Sequence, residues 1–381
     1  MTHQSVKEWL LENYPDYCGE VTVDLDRKQV EEKMAADHPD LNVHVPRYTY
    51  KRYGYGLSRL VANKFTQRIG ALEHGFQGRL TNSGMSAISV VNEALRGQCR
   101  AGSIVVGRVM YGETPQVFET NDTTVRYVDL SDDSELQNQI ENQNAKAIIV
   151  ETVGNGGQMP VCDFNKLLSY CWMKDIVLVL DNTLLSASIY NPFDHLASVK
   201  TFFGEPTCQL VYLESLSKFY RADDYDEATG GIIVAPEEFI ARCDNSLKWG
   251  HYMPFNSLRE FPFDLYGAAN ELLMRVDQIT KSVHKFLQTH SGVSSVVCNN
   301  HKHVPGGAII FFEIDKTENL LDRLKAGLGP IKGSFGHPET TYLPFGAFME
   351  DMPDGLVRLA IGYNETPEQI IEKLKVVLEV N

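Results

Sequence analysis

The chain has 381 residues, enough to bury a full core and more than one compact unit needs; 43% are hydrophobic and 22% charged, as in an ordinary globular protein. A net charge of −15 without any long Lys/Arg tract excludes the electrostatic footprint of a nucleic-acid-binding protein. No apolar run approaches a membrane span, and the seven cysteines (Cys18, Cys99, Cys162, Cys171, Cys208, Cys243 and Cys298) are odd in number and scattered, so no disulfide framework and a reduced, cytoplasmic setting are expected.

The amino-terminal MTHQSVKEWLLENY reads as an amphipathic helix and lacks the basic start, apolar run and cleavage site of a signal peptide. Residues 1–60, rich in Pro, Tyr and Arg around VPRYTYKRYGYG, read as an arm rather than a core. From about residue 80 to 235, helices alternate with short apolar runs. GMSAISVVNEALR and DFNKLLSYCWMK have helical spacing, whereas SIVVGR, TVRYVDL, KAIIVETV, IVLVLDN, QLVYLES and GIIVAP read as strands. This order predicts a mostly parallel sheet covered by helices, residues 61–250, with TVRYVDL and GIIVAP as candidates for edge or antiparallel places.

Beyond residue 250 the pattern changes. A long helix, LYGAANELLMRVDQITKSVHKFLQTH, is followed by VSSVVCN, GAIIFFEID, the helix NLLDRLKAGL, then GLVRLAIG and the closing helix PEQIIEKLKVVLEV. That mixture predicts a smaller α+β domain, residues 251–381, packed on the first. HKH at His301 to His303 lacks ligands at metal spacing and reads as a solvated loop, so no metal is expected.

In open α/β sheets, ligands gather at the carboxyl ends of the strands. Here those ends carry Glu151 and Asn155 (KAIIVETVGN), Asp181 (IVLVLDNT), and Ser215, Ser217 and Lys218 (QLVYLESLSK). In TNSGMSAIS, Ser83 and Gly84 open a helix whose free N–H groups suit an anion. Each piece alone is weak: Asp181 serves equally well as a helix cap, Ser83 as an ordinary turn, Lys218 as a solvated lysine and Tyr111 as packing. Together they supply what pyridoxal phosphate (PLP) requires, namely an amine for a Schiff base, a carboxylate for the pyridine nitrogen, donors for a phosphate and an aromatic ring to stack.

In this arrangement the sequence resembles the Cys/Met-metabolism enzymes of fold type I, such as cystathionine γ-synthase, cystathionine γ- and β-lyase and methionine γ-lyase, from YTYKR to the last helix. The resemblance implies an α/β fold with a seven-stranded, mostly parallel sheet and a smaller carboxyl-terminal domain. SLSK resembles SxTK, which makes Lys218 the cofactor-anchoring lysine and Ser215 and Ser217 phosphate ligands. DNT implies that Asp181 pairs with the pyridine nitrogen and that Thr183 lies beside the ring; SGM implies that Gly84 and Met85, next to Ser83, offer N–H groups to the phosphate. YGET resembles YGGT and makes Tyr111 the stacking ring, with a role as acid or base.

TYKR resembles EYSR, implying that Tyr50 and Arg52 reach the phosphate of a neighbouring subunit. ETVGN resembles ETPSN and places Asn155 near the cofactor and the substrate carboxylate; VRLAIG resembles VRLSVG and makes Arg358 the clamp for that carboxylate. SFGHPET resembles SLGGxES, with Thr340 at a substrate-side position.

The departures fall on the substrate side. YGL stands at Tyr55 to Leu57 in place of NPT, Glu113 replaces the second glycine of YGGT, and the acidic YRADDYDEATGG follows Lys218. Glu113 is placed either to meet a cationic or hydroxyl-bearing substrate tail or to face solvent, the latter slightly ahead. The resemblance implies elimination or replacement at Cγ of a small amino acid by a homo-oligomer, at least a dimer and by family habit a tetramer, with no nucleic-acid or membrane partner. A β-eliminating lyase, a specialised biosynthetic enzyme and a non-catalytic PLP binder are the alternatives, the last disfavoured by the joint presence of Lys218, Asp181, Arg358 and Arg52.

Overall fold

A computed structural model describes residues 3–15, 24–43, 56–99, 102–119, 124–129, 132–142, 144–161, 163–203, 210–220, 229–301, 304–315, 317–345 and 352–378. Seven strands build the larger sheet: β1 (Phe76–Thr81), β2 (Ser103–Gly107), β3 (Thr124–Val128), β4 (Ala145–Glu151), β5 (Val177–Asp181), β6 (Leu210–Ser215) and β7 (Gly231–Pro236), in the order β1-β7-β6-β5-β4-β2-β3. From β3 to β6 all neighbours are parallel, while β7 runs antiparallel to both β6 and β1.

The expected mostly parallel sheet is therefore present, and the two strands singled out as edge or antiparallel divide those properties. TVRYV lies at an edge but is parallel, whereas GIIVAP is antiparallel but interior. β1 was not among the expected strands. Its FQGRLT reads as polar, yet Arg79 is buried because Nε donates to Asp244 Oδ1 at 2.8 Å.

Successive strand residues face opposite sides of the sheet, and the buried side chains sort accordingly. Ile148, Val150, Leu178, Leu180 and Tyr212 join one core cluster, and Ala147, Ile149, Val177, Val179 and Leu213 the other. Helix Gly84–Cys99 covers the second face; its Ile88, Val91 and Leu95 belong to that cluster. Helix Phe164–Lys174 adds Leu168 and Cys171 to the first, capped at its start by Asp163, whose side chain accepts from Lys166 N.

The smaller sheet is wholly antiparallel, with β8 (Val293–His301), β9 (Val304–Ile314), β10 (Thr341–Leu343) and β11 (Leu356–Ala360) in the order β10-β11-β9-β8. Helix Leu265–Thr289 packs on β8 and β9, helix Pro367–Leu378 packs on that helix and on helix Leu320–Leu328, and Leu273, Leu324 and Leu374 are buried among them. The three long helices match the expected segments; β10 was not foreseen.

The described part of the amino-terminal segment packs on its own chain. Helix Val6–Asn13 begins with a capping box formed by Ser5 and Glu8, and Trp9 stacks on Phe263 with ring centroids 3.9 Å apart and planes within 7°. Among the described residues, no helix is long and apolar enough to cross a membrane.

Candidate active site

Parallel strands in register bring their carboxyl ends to one rim, where Glu151 of β4 pairs across to Asp181 of β5. β6 ends beside them at Ser215, and Lys218 follows in the turn. A cleft of about 230 Å³ opens there, between this rim, the start of helix Gly84–Cys99, residues 333–335 and Arg358 of β11. The two sheets thus contribute opposite walls.

Lys218 Nζ donates to Ser334 Oγ at 2.7 Å and lies 4.9 Å from the centre of the Phe335 ring. Asp181 Oδ1 accepts from Thr183 N at 2.9 Å and Thr183 Oγ1 at 2.6 Å. Burial pushes the Asp181 carboxyl above its ordinary range, against the Thr183 hydrogen bonds and the Lys218 charge that pull it down. Thr183 Oγ1 also accepts from Ser215 N at 2.9 Å, which ties the ends of β5 and β6 together.

The anion-binding end is built by close approach. A Cβ on Gly84 would fall 2.8 Å from Ser215 Cβ, so only glycine lets the helix start sit against the end of β6. Ser83 Oγ accepts from Ser86 N at 3.0 Å and caps the helix, and Gly84 and Met85, whose N–H groups have no partner within the helix, line the cleft. Ser217 Oγ accepts from Gly230 N at 3.2 Å, pinning the start of β7 to the turn that carries Lys218.

On the facing wall, Arg358 is buried. Its Nη1 donates to Asn155 Oδ1 at 3.0 Å and its Nη2 to the Gly333 carbonyl; burial lowers its pKa. Tyr111 stands at the mouth, 43% exposed. Burial of its hydroxyl, then the charge and hydrogen bond of Glu113, raise the phenol, and Arg358 opposes them.

Most of the residues expected from the sequence meet here: Ser83, Gly84, Met85, Tyr111, Asn155, Asp181, Thr183, Ser215, Ser217, Lys218 and Arg358 all line the cleft. Two do not. Glu113 is exposed on the turn after Tyr111 and reaches that hydroxyl instead of the cleft. Thr340 is buried outside it, its backbone N–H donating to Glu365 and its Oγ1 accepting from Gly362 N at 3.0 Å. Tyr50, Arg52, Tyr55 and the acidic residues Asp223, Asp224, Asp226 and Glu227 lie outside the described residues.

Ser334, Phe335 and the Gly333 carbonyl were missed as site groups, although SFGHPET contains the first two. Glu151 was noted only as a polar strand end. Nothing local in the sequence marks what these groups touch.

The donor set fits the cofactor that the resemblance implies. An amine, a buried carboxyl with a raised pKa, an aromatic ring and a helix start crowded against Ser215 surround one cavity, and the tight Gly84 contact is the kind of backbone approach a phosphate cradle needs.

Comparisons with known proteins agree. The family model described as Cys/Met metabolism PLP-dependent enzyme matches residues 28–202, which run through β1 to β5. The L-methionine gamma-lyase of Treponema denticola is 24% identical over 374 residues, covering 87% of this chain and 85% of that protein. The homocysteine synthase of Schizosaccharomyces pombe is 34% identical over 157 residues, 39% of this chain and only 35% of that relative's length. The crystal structure of cystathionine gamma synthase from Xanthomonas oryzae pv. oryzae has a TM-score of 0.73 at 21% identity, covers 87% of this chain and 88% of its own, and shares the fold. The family match runs through five consecutive strands of the large sheet, and relatives such as the methionine gamma-lyase extend the similarity across the small one, so the chain is similar to the Cys/Met-metabolism PLP-dependent enzymes along most of its length.

Proposed function

We propose that the protein is a PLP-dependent lyase or transferase that eliminates or replaces a group at Cγ of a small amino acid. The observation that carries this reading is the convergence of Lys218, Asp181 and Arg358 on one cleft, from β6, β5 and the opposite wall. The names of the relatives, methionine gamma-lyase and cystathionine gamma-lyase among them, support chemistry at Cγ.

When bound, PLP supplies an electron sink for the charge left at the substrate's Cα and Cβ. Lys218 anchors it, and its freed Nζ is the base that takes the Cα proton and returns protons along the substrate. Ser334 Oγ, 2.7 Å from Nζ, orients that amine. Asp181 holds a proton at the ring nitrogen, Tyr111 covers the ring, and Ser83, Ser215, Ser217 and the N–H groups of Gly84 and Met85 bind the phosphate. Arg358, aimed by Asn155 Oδ1 and the Gly333 carbonyl, receives the substrate carboxylate.

The resemblance of TYKR to EYSR supports a working unit of at least a dimer, and residues 1–60, 61–250 and 251–381 divide the chain into an amino-terminal arm, a PLP-binding α/β domain and a carboxyl-terminal α+β domain. Mass spectrometry of products from the PLP-loaded protein with cystathionine, methionine or O-acylated homoserines tests the reading. 2-Oxobutanoate or a γ-replacement product is expected. Pyruvate alone would move the chemistry to Cβ, and no turnover with cofactor bound at Lys218 would reject these substrates.

A further inference from the structure

Glu151 closes β4, is only 6% exposed and uses each carboxylate oxygen on a different loop. Oε1 accepts from Tyr111 N at 2.7 Å, and Oε2 accepts from Asn155 N at 3.1 Å. Tyr111 carries the ring at the mouth of the cleft, and Asn155 Oδ1 in turn accepts from Arg358 Nη1 at 3.0 Å. The loop before helix Thr114–Glu119 and the loop after β4 therefore hang on one side chain.

We infer that Glu151 is a positioning residue that sets the stacking ring and the carboxylate clamp together, so that cofactor stacking and substrate recognition share one anchor. The inference rests on the proposed roles of Tyr111 and Arg358, while the hydrogen-bond relay beneath them does not. Both N–H groups would otherwise be donors without acceptors at the edge of a buried site. Burial and the neighbouring Asp181 push the Glu151 carboxyl up, to about 8, and the hydrogen bonds from the two N–H donors oppose that rise.

Glutamine is the discriminating replacement. Glu151→Gln preserves shape, but its amide offers one acceptor oxygen and one donor nitrogen, so an N–H group of Tyr111 or Asn155 must face another donor. Residue-resolved amide exchange on the PLP-free protein reads this without cofactor or turnover. Exchange at Tyr111 or Asn155, whichever N–H loses its oxygen, is expected to rise about tenfold or more, while Leu216, whose N–H donates to the Gly230 carbonyl, stays protected. In the loaded enzyme, KM for the amino acid should rise about tenfold, the visible circular dichroism of the cofactor should change, and the KM effect should shrink in an Asn155→Ala background.

Unchanged exchange at both amides would overturn the inference even in an active enzyme. Absence of turnover with raised exchange at one of the two amides would instead count against the proposed function. Should Glu151→Gln not fold, Glu151→Asp, which keeps the carboxyl but withdraws both oxygens by one methylene, is read by the same exchange. If neither folds, Glu151 is a folding residue and the inference fails.

Discussion

Lys218 Nζ and Ser334 Oγ, 116 positions apart in sequence, meet at 2.7 Å and join the turn after β6 to the loop before β10. Ser334 is itself held, its carbonyl accepting from Thr341 Oγ1 at 2.8 Å. Ser334→Ala removes the acceptor and leaves the amine to choose other orientations. Steady-state kinetics should show kcat down about tenfold with the protein's melting temperature nearly unchanged, on the scale of one hydrogen bond to a charged group. A kcat within a factor of two of wild type would mean that the contact does not orient the amine.

Lys218→Ala and Arg358→Ala should fail in different ways. The first removes the base and covalent anchor, and turnover should fall at least about a thousandfold, as when a member of a catalytic unit is deleted. The second should raise KM about a hundredfold while the absorbance of bound cofactor persists, because a buried two-pronged clamp is lost. Equal losses of cofactor in both variants would refute this division of labour.

Gly336 is held at φ +80, and a Cβ there would sit 2.1 Å from the Lys218 carbonyl oxygen. Gly336→Ala must move the 333–336 loop away from Lys218 or leave a left-handed conformation that costs a non-glycine residue about 1–2 kcal/mol. Thermal melts should show a lower melting temperature, accompanied by reduced kcat because Ser334 moves with the loop. A variant as stable and active as wild type would show that the approach is looser than described.

Glu214 lines the floor of the cleft, 1% exposed, with the hydroxyls of Tyr212 and Tyr220 donating to it and Ser186 Oγ 2.6 Å from the Tyr220 hydroxyl. Burial pushes its pKa from 4.5 to about 8, outweighing those hydrogen bonds. The folded state therefore binds a proton that the unfolded state releases. Stability from this group is full below about pH 4.5, declines between 4.5 and 8, and is flat above. The slope inside the window is at most about 1.4 kcal/mol per pH unit. Urea titrations across that range should show Glu214→Gln losing less stability than wild type as pH rises; parallel curves for the two proteins would sink the assignment.

Chain order and hydrophobic runs were enough to specify the alternating strands and helices, the mostly parallel sheet and the mixed carboxyl-terminal region, because runs such as AIIV and VLVL have stable burial only inside a covered sheet. The polar residues at strand ends were legible for the same reason: a parallel sheet sends every such end to one rim. β1 was hidden because Arg79 looks like a surface residue until Asp244, 165 positions away, neutralises it. The place of Thr340 was decided by packing, since its hydroxyl is committed to Gly362 N. Only the tertiary structure brought Ser334, Phe335 and the Gly333 carbonyl onto Lys218 and Arg358 and set both oxygens of Glu151 on two loops. Those relations are distances between segments far apart in the chain, and no local spacing encodes them.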